Sequence, residues 1–262
     1  MSFLSQLPQV TKNLLILNIL MFIMNLVLLN KGIDLNELLG AYFITSPNFE
    51  PYQVVTYMFM HDNNNFMHIL VNMLMLVMFG AHLERVWGAK RFFIFYVSCA
   101  VGAYLLYSGL GVYQMLTAKS ALKGVVDFTS INNILENSSS LTELNVNISS
   151  YLASLPNFTK ENWDYLEQYI QLGITPMVGA SGALFGIMTG FAILFPNTEL
   201  MLLFPPIPIK AKYLIGAYLL FEIYNSIIMI NDSVAHLAHV GGAIVGIVFV
   251  LYWRKKDRNH FW

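Results

Sequence analysis

His68, Asn72, Ser181 and His239 stand near the starts of three separate apolar stretches and together hold the parts of a serine-dependent acyl transfer. Ser181 lies in Gly179-Ala180-Ser181-Gly182 and His239 in Ala238-His239-Val240-Gly241-Gly242. A serine hydroxyl is a weak nucleophile and needs a base within hydrogen-bond reach; the imidazole of His239 is the candidate. Acyl transfer also needs donors for the developing oxyanion, each worth about 2.7–4 kcal/mol. His68 and Asn72 are four residues apart and share a helix face, so both are candidate donors, with the Ser181 backbone N–H as a third. The bland alternative is a serine bonded to a carbonyl one turn back, with glycines that serve packing only. The soluble Gly-x-Ser-x-Gly elbow is absent, so the tetrapeptide alone does not decide. Polar groups of this kind inside apolar helices mark function by default.

The elements that must position these residues are membrane helices. Charged residues make up 11% of the chain and hydrophobic ones 56%, against about 25% charged in a soluble domain. A crossing helix needs roughly 20 apolar residues, and six stretches qualify: 12–29, 66–83, 92–114, 176–195, 212–230 and 234–253. The expected fold is an all-α membrane protein, one six-helix domain over 1–262. The first stretch reads as a retained span, since no small-x-small cleavage site closely follows it. Gly182, Gly186 and Gly190 repeat every four residues on span four, and Gly242 and Gly246 on span six. Such small-residue faces let two helices approach closely and would bring Ser181 to His239.

Lys and Arg set the direction. With six spans both termini share a side, and that side carries ten of the 14 basic residues. Both termini are therefore expected in the cytoplasm, with spans two, four and six running inward and their polar starts at one outer depth. On helical rise, Ser181 lies about 7.5 Å past Pro176. The net charge of −1 points to no nucleic-acid partner, and a lone cysteine, Cys99, allows no intrachain disulfide.

Residues 115–175 interrupt the pattern as an extracytoplasmic insertion between spans three and four. Trp163, Leu166 and Ile170 have helical spacing with Asp164 and Glu167 opposite, which predicts a short amphipathic helix over 162–173; 132–140 reads as a flexible loop. Glu222 is the only carboxylate deep in a span. Counted along its helix it falls about 15 Å below the serine, which favours a structural or gating role over a relay and leaves a Ser-His dyad as the simplest site. His236 and His239 form an HxxH that could, with His61, hold a metal or haem. A zinc protease would carry HExxH, which is absent, so no metal is expected and His236 is assigned a hydrogen bond near the cavity mouth. His82 and His260 are expected near the cytoplasmic side, solvated and far from this cluster.

With these residues in place, the chain resembles the rhomboid family of intramembrane serine proteases, of bacterial type. The resemblance rests on His-x-x-x-Asn at 68–72, Gly-x-Ser-Gly at 179–182 and Ala-His-x-x-Gly-x-x-x-Gly at 238–246, and covers roughly residues 12–253. It implies Ser181 as nucleophile, His239 as base, and His68, Asn72 and the Ser181 amide as oxyanion donors. It also implies cleavage of membrane-anchored substrates, in or near a transmembrane segment and near small residues, without a cofactor; the expected residence is a bacterial inner membrane, where the Lys/Arg count turns the site outward. Two departures stand out. Tyr52-Gln53 occupies the place of a Trp-Arg pair of the first outer loop, which puts a stabilising network in doubt. Phe185 stands where a tyrosine often follows the serine; it can stack on His239 but offers no hydroxyl. A catalytically silent member that binds transmembrane helices is the competing class, and the retained serine and histidine favour the enzyme. Oligomeric state and natural substrate are not legible.

Overall fold

A computed structural model describes residues 3–138, 140–156, 158–201, 206–228 and 233–256. The chain is mostly helical. Six helices form the frame: α1 (Gln9–Leu29), α2 (Phe66–Trp87), α3 (Ala89–Ala121), α4 (Ser181–Leu194), α5 (Ala211–Ile228) and α6 (Ser233–Lys256). Among the described residues, four of these are long and apolar enough to cross a membrane, namely α1, α2, α3 and α6 from His236 onward. A small antiparallel hairpin, Glu199–Met201 with Pro208–Lys210, joins α4 to α5 and departs from a purely helical expectation.

Helix α4 sits at the centre, held by α3 and α6. Its residues from Gly182 to Phe191 are all buried, so protein neighbours rather than lipid surround it. At 14 residues it is about 21 Å long, short of the roughly 30 Å hydrocarbon core. The expected helix over 176–195 is therefore corrected at its start. Residues 176–180 are not helical, and Met177 pairs with Ala41 through two backbone bonds of 2.8 Å. Pro176 and Gly179 explain this. Proline lacks the N–H that would join the bridge or a helix, and Gly179 has φ +120°, a conformation that side chains rarely adopt.

The glycine stripes meet as their spacing predicts. A Cβ on Gly242 would overlap the carbonyl of Gly182, and one on Gly246 would lie 2.7 Å from the Gly186 carbonyl oxygen. Both obstacles are backbone, which cannot rotate away. Overpacking of this kind costs about 1–3 kcal/mol. Gly242→Ala is therefore expected to lower the thermal midpoint in detergent by several degrees. Gly216→Ala on α5, where a Cβ meets nothing within 4 Å, should leave it unchanged or slightly raised. Equal midpoints for the two variants would contradict the tight α4–α6 seam.

Several expectations about the flanking segments change. The insertion is helical: Phe128–Asn137, Leu141–Ala153 and Lys160–Ile174. The expected flexible loop at 132–140 is mostly the end of the first of these, capped by Asp127; Ser140 caps the next. Its apolar residues Ile131, Leu135, Leu144 and Ile148 join the same buried cluster as α3, which gives the segment a reason to fold; Ser139 lies outside the described residues. The amphipathic helix buries Leu166 and Ile170 as expected but leaves Trp163 exposed. Helix α3 runs on to Ala121, so 115–121 belong to it.

Glu84 is in the last turn of α2, and Gly88 (φ +78°) alone makes the turn into α3. The buried Glu84 carboxylate accepts from Val10 N at 2.8 Å, Thr11 N at 2.7 Å and Thr11 Oγ1 at 2.8 Å. It thus satisfies orphan donors at the start of α1 and places a negative charge where that helix end is positive. His82 is exposed, with its ring edge-on to Phe191 and Phe195; His260 lies outside the described residues.

Gln53 supplies a network in the place of the Trp-Arg pair. It is 1% exposed, donates to the carbonyls of Leu38 and Asn48, and accepts from Glu50 N at 3.0 Å. One amide closes three backbone groups of the first loop.

Candidate active site

Ser181 is the first residue of α4 and is half-buried, whereas Gly182 to Phe191 are closed off. Its Oγ lies 2.8 Å from His239 Nε2. The approach depends on the α4–α6 seam, since His239 sits one turn before Gly242 on α6. Phe185, one turn after Ser181, stacks on the His239 ring at 4.3 Å between centroids and 11° between planes. The stack fixes the ring plane, leaving Nε2 aimed at the serine.

The structure brings Glu222 into this group, against the depth argument. Glu222 Oε2 lies 2.7 Å from His239 Nδ1 and 2.7 Å from His236 Nδ1. The depth argument failed because Ser181 is reached through non-helical backbone. Extended chain advances roughly 3.3 Å per residue, about twice the helical 1.5 Å, so the serine lies deeper than a helix from Pro176 would put it. An ionised carboxylate only accepts, so both rings donate from Nδ1. His239 then presents the Nε2 lone pair to Ser181 Oγ–H. His236 bonds the carboxylate and not a group at a cavity mouth.

The opposite wall comes from α2. His68 Nδ1 accepts from Asp62 N at 3.3 Å. In a neutral ring the proton is therefore on Nε2. That nitrogen would lie 2.8 Å from a Cβ built on Gly179, whose position is in turn 3.6 Å from Ser181 Oγ. Only a glycine fits between the two, and its absent side chain is what lets an N–H donor reach the space beside the serine. Asn72, 5% exposed, donates from Nδ2 to the His68 carbonyl at 2.7 Å. An amide nitrogen carries two protons, so this bond uses one of them. The Ser181 N–H belongs to the first helical turn, where backbone donors have no partner within the helix.

His61 does not join His236 and His239. It is buried beside His68, 5.2 Å between ring centroids, in the loop before α2. Burial, and then the His68 ring, push its pKa down to about 3, which keeps it neutral. Among the described residues, the cluster with metal-ligand chemistry is Glu222, His236 and His239. Sequence reasoning missed Glu222 as a partner, although one signal was present: a lone carboxylate in an apolar stretch needs a compensating donor.

A family model described as Rhomboid domain matches residues 48–256. That range holds Ser181, His239, His68, Asn72 and Glu222. A relative, Rhomboid protein 1, mitochondrial, from Saccharomyces cerevisiae, is 24% identical over 196 residues, which is 74% of this chain and 40% of the relative. The chain thus spans less than half the length of that relative. With four membrane-length apolar helices, this is an integral membrane protein. Most of its length fits one family model, and the chain belongs to the rhomboid family.

Proposed function

We propose that the protein is an intramembrane serine endopeptidase that cuts membrane-anchored substrates in or near their transmembrane segments, without a cofactor. The observation that carries this is the continuous line Ser181 Oγ, His239 Nε2, His239 Nδ1 and Glu222 Oε2, with contacts of 2.8 and 2.7 Å. In this reading His239 takes the serine proton as Oγ attacks the scissile carbonyl, then returns it to the leaving amine. Glu222 is a positioning residue that holds the productive tautomer and faces the imidazolium as it forms. His68 Nε2–H, the second Asn72 N–H and the Ser181 amide receive the oxyanion.

All six helices cross the membrane in this reading as one domain, 1–262, bearing the insertion that follows Ala121 and leads to α4. Helix α4 needs no lipid-facing length because protein encloses it. The basic-residue count supports cytoplasmic termini and a site that opens outward. The expected setting is a bacterial inner membrane, whereas the yeast relative is named as mitochondrial. Helical amides are shielded by their own hydrogen bonds, so substrates should carry Gly, Pro or polar residues near the cut.

The test is cleavage of a labelled membrane-anchored substrate by the purified chain in detergent. Asn72→Ala separates the oxyanion role from substrate binding. A donor engaged mainly in the transition state affects turnover, so kcat should fall on the order of 10²–10³-fold with KM little changed. A raised KM at constant kcat would make Asn72 a substrate-positioning group instead.

A further inference from the structure

The proposed reaction uses one of the two bonds to Glu222 and leaves His236 without a chemical task. We propose that Glu222, His236 and His239 form a binding site for a divalent transition-metal cation of the Zn2+ class, and that occupancy of this site switches the serine off. The effect on the serine rests on the protease reading above; the binding does not.

The donor set is already assembled. The two histidine nitrogens and a Glu222 carboxylate oxygen lie within 4.8 Å of one another. Ligand atoms on a tetrahedral Zn2+ at about 2.0–2.1 Å are roughly 3.3 Å apart. To admit the ion the 2.7 Å contacts open by about 0.6 Å and a pair as wide as 4.8 Å closes by up to about 1.5 Å, through rotation of side chains. His236 and His239 are three residues apart on one face of α6, and Glu222 faces them from α5. Two imidazoles and one carboxylate suit Zn2+, Co2+ or Ni2+ and not the oxygen-seeking Mg2+ or Ca2+. The two imidazole side chains are 16% and 19% exposed, against 3% for Glu222, so the ion has a path to the rings. Three protein ligands leave a fourth position for water.

The switch follows from the tautomer. A metal on Nδ1 needs that lone pair, so a neutral His239 must carry its proton on Nε2. Ser181 Oγ then faces a donor where it needs an acceptor, and no base remains to take its proton. The Nδ1–H bond breaks as the metal takes that lone pair, its proton passes to water, water returns one to form the Nε2–H bond, and a chelator reverses the effect.

The direct probe is Co2+, whose visible d–d absorption reports low-coordinate nitrogen ligation whether or not the protein is active. Full-length chain in detergent should give this band, Zn2+ should bleach it, and Ser181→Ala should retain it, because the serine is not a ligand. His236→Gln and Glu222→Gln, each checked for folding by circular dichroism, should weaken Co2+ affinity by at least the roughly 10–100-fold that loss of an outer-shell partner costs. In parallel, Zn2+ should suppress fluorophosphonate labelling of Ser181 and EDTA should restore it. In His236→Gln the Zn2+ concentration for half-suppression should rise by a similar factor. Absence of the band, or a band of equal affinity in both variants, overturns the site. A variant-sensitive band with labelling indifferent to Zn2+ overturns the switch. A variant-sensitive band in a native chain that never labels supports the site and counts against the protease reading instead.

Discussion

Ser181→Ala and His239→Ala are each expected to reduce cleavage of a membrane substrate by at least about 10⁴-fold, with the double variant no slower than either single one. The reason is the shared proton. Neither the 2.8 Å contact between Oγ and Nε2 nor the attack it permits survives loss of one partner, so removing the second costs nothing further. The residual rate should be what binding and oxyanion donors provide alone. Folding should persist, because Gly182, Gly186, Gly242 and Gly246 make the helix seam and neither variant touches them. Additive losses, or robust turnover by Ser181→Ala, would remove this pair from the chemistry.

Glu222→Gln is expected to lower kcat by up to about 10⁴-fold with KM nearly unchanged, and Glu222→Asp to recover part of the loss. A glutamine amide can donate to His239 Nδ1, which moves the ring proton to Nε2 and presents the wrong tautomer to Ser181. Glutamine has nearly the shape of glutamate, so packing alone would hardly change. The split between kcat and KM, and the rescue by aspartate, distinguish a positioning carboxylate from a structural one. Equal activity in native and Glu222→Gln protein would return the site to a dyad.

Much of the arrangement was legible because its signals are local. Gly-x-x-x-Gly spacing on two stretches predicted the α4–α6 contact, and four-residue spacing predicted that His68 and Asn72 share a helix. Depth was less legible. The residues before Ser181 abandon the helix to pair Met177 with Ala41, a contact between segments far apart in sequence, and that change of rise hid Glu222. The insertion misled for a related reason: 132–140 reads as a loop, yet Asp127 and Ser140 serve as helix caps and the apolar residues join the cluster that includes α3. Gln53 could not be evaluated from its type alone, because its three partners are backbone groups brought to it by the fold.

The central claim is that Ser181 is an activated nucleophile. A fluorophosphonate probe forms a covalent bond only with such a hydroxyl, so the direct measurement is labelling of the purified chain, with the modified residue located by mass spectrometry. The account predicts stoichiometric modification at Ser181 in native protein, none in Ser181→Ala, and strongly slowed modification in His239→Ala. Modification at another residue, or none in a folded native chain, would contradict it and favour a member of the family that binds transmembrane helices without cutting them.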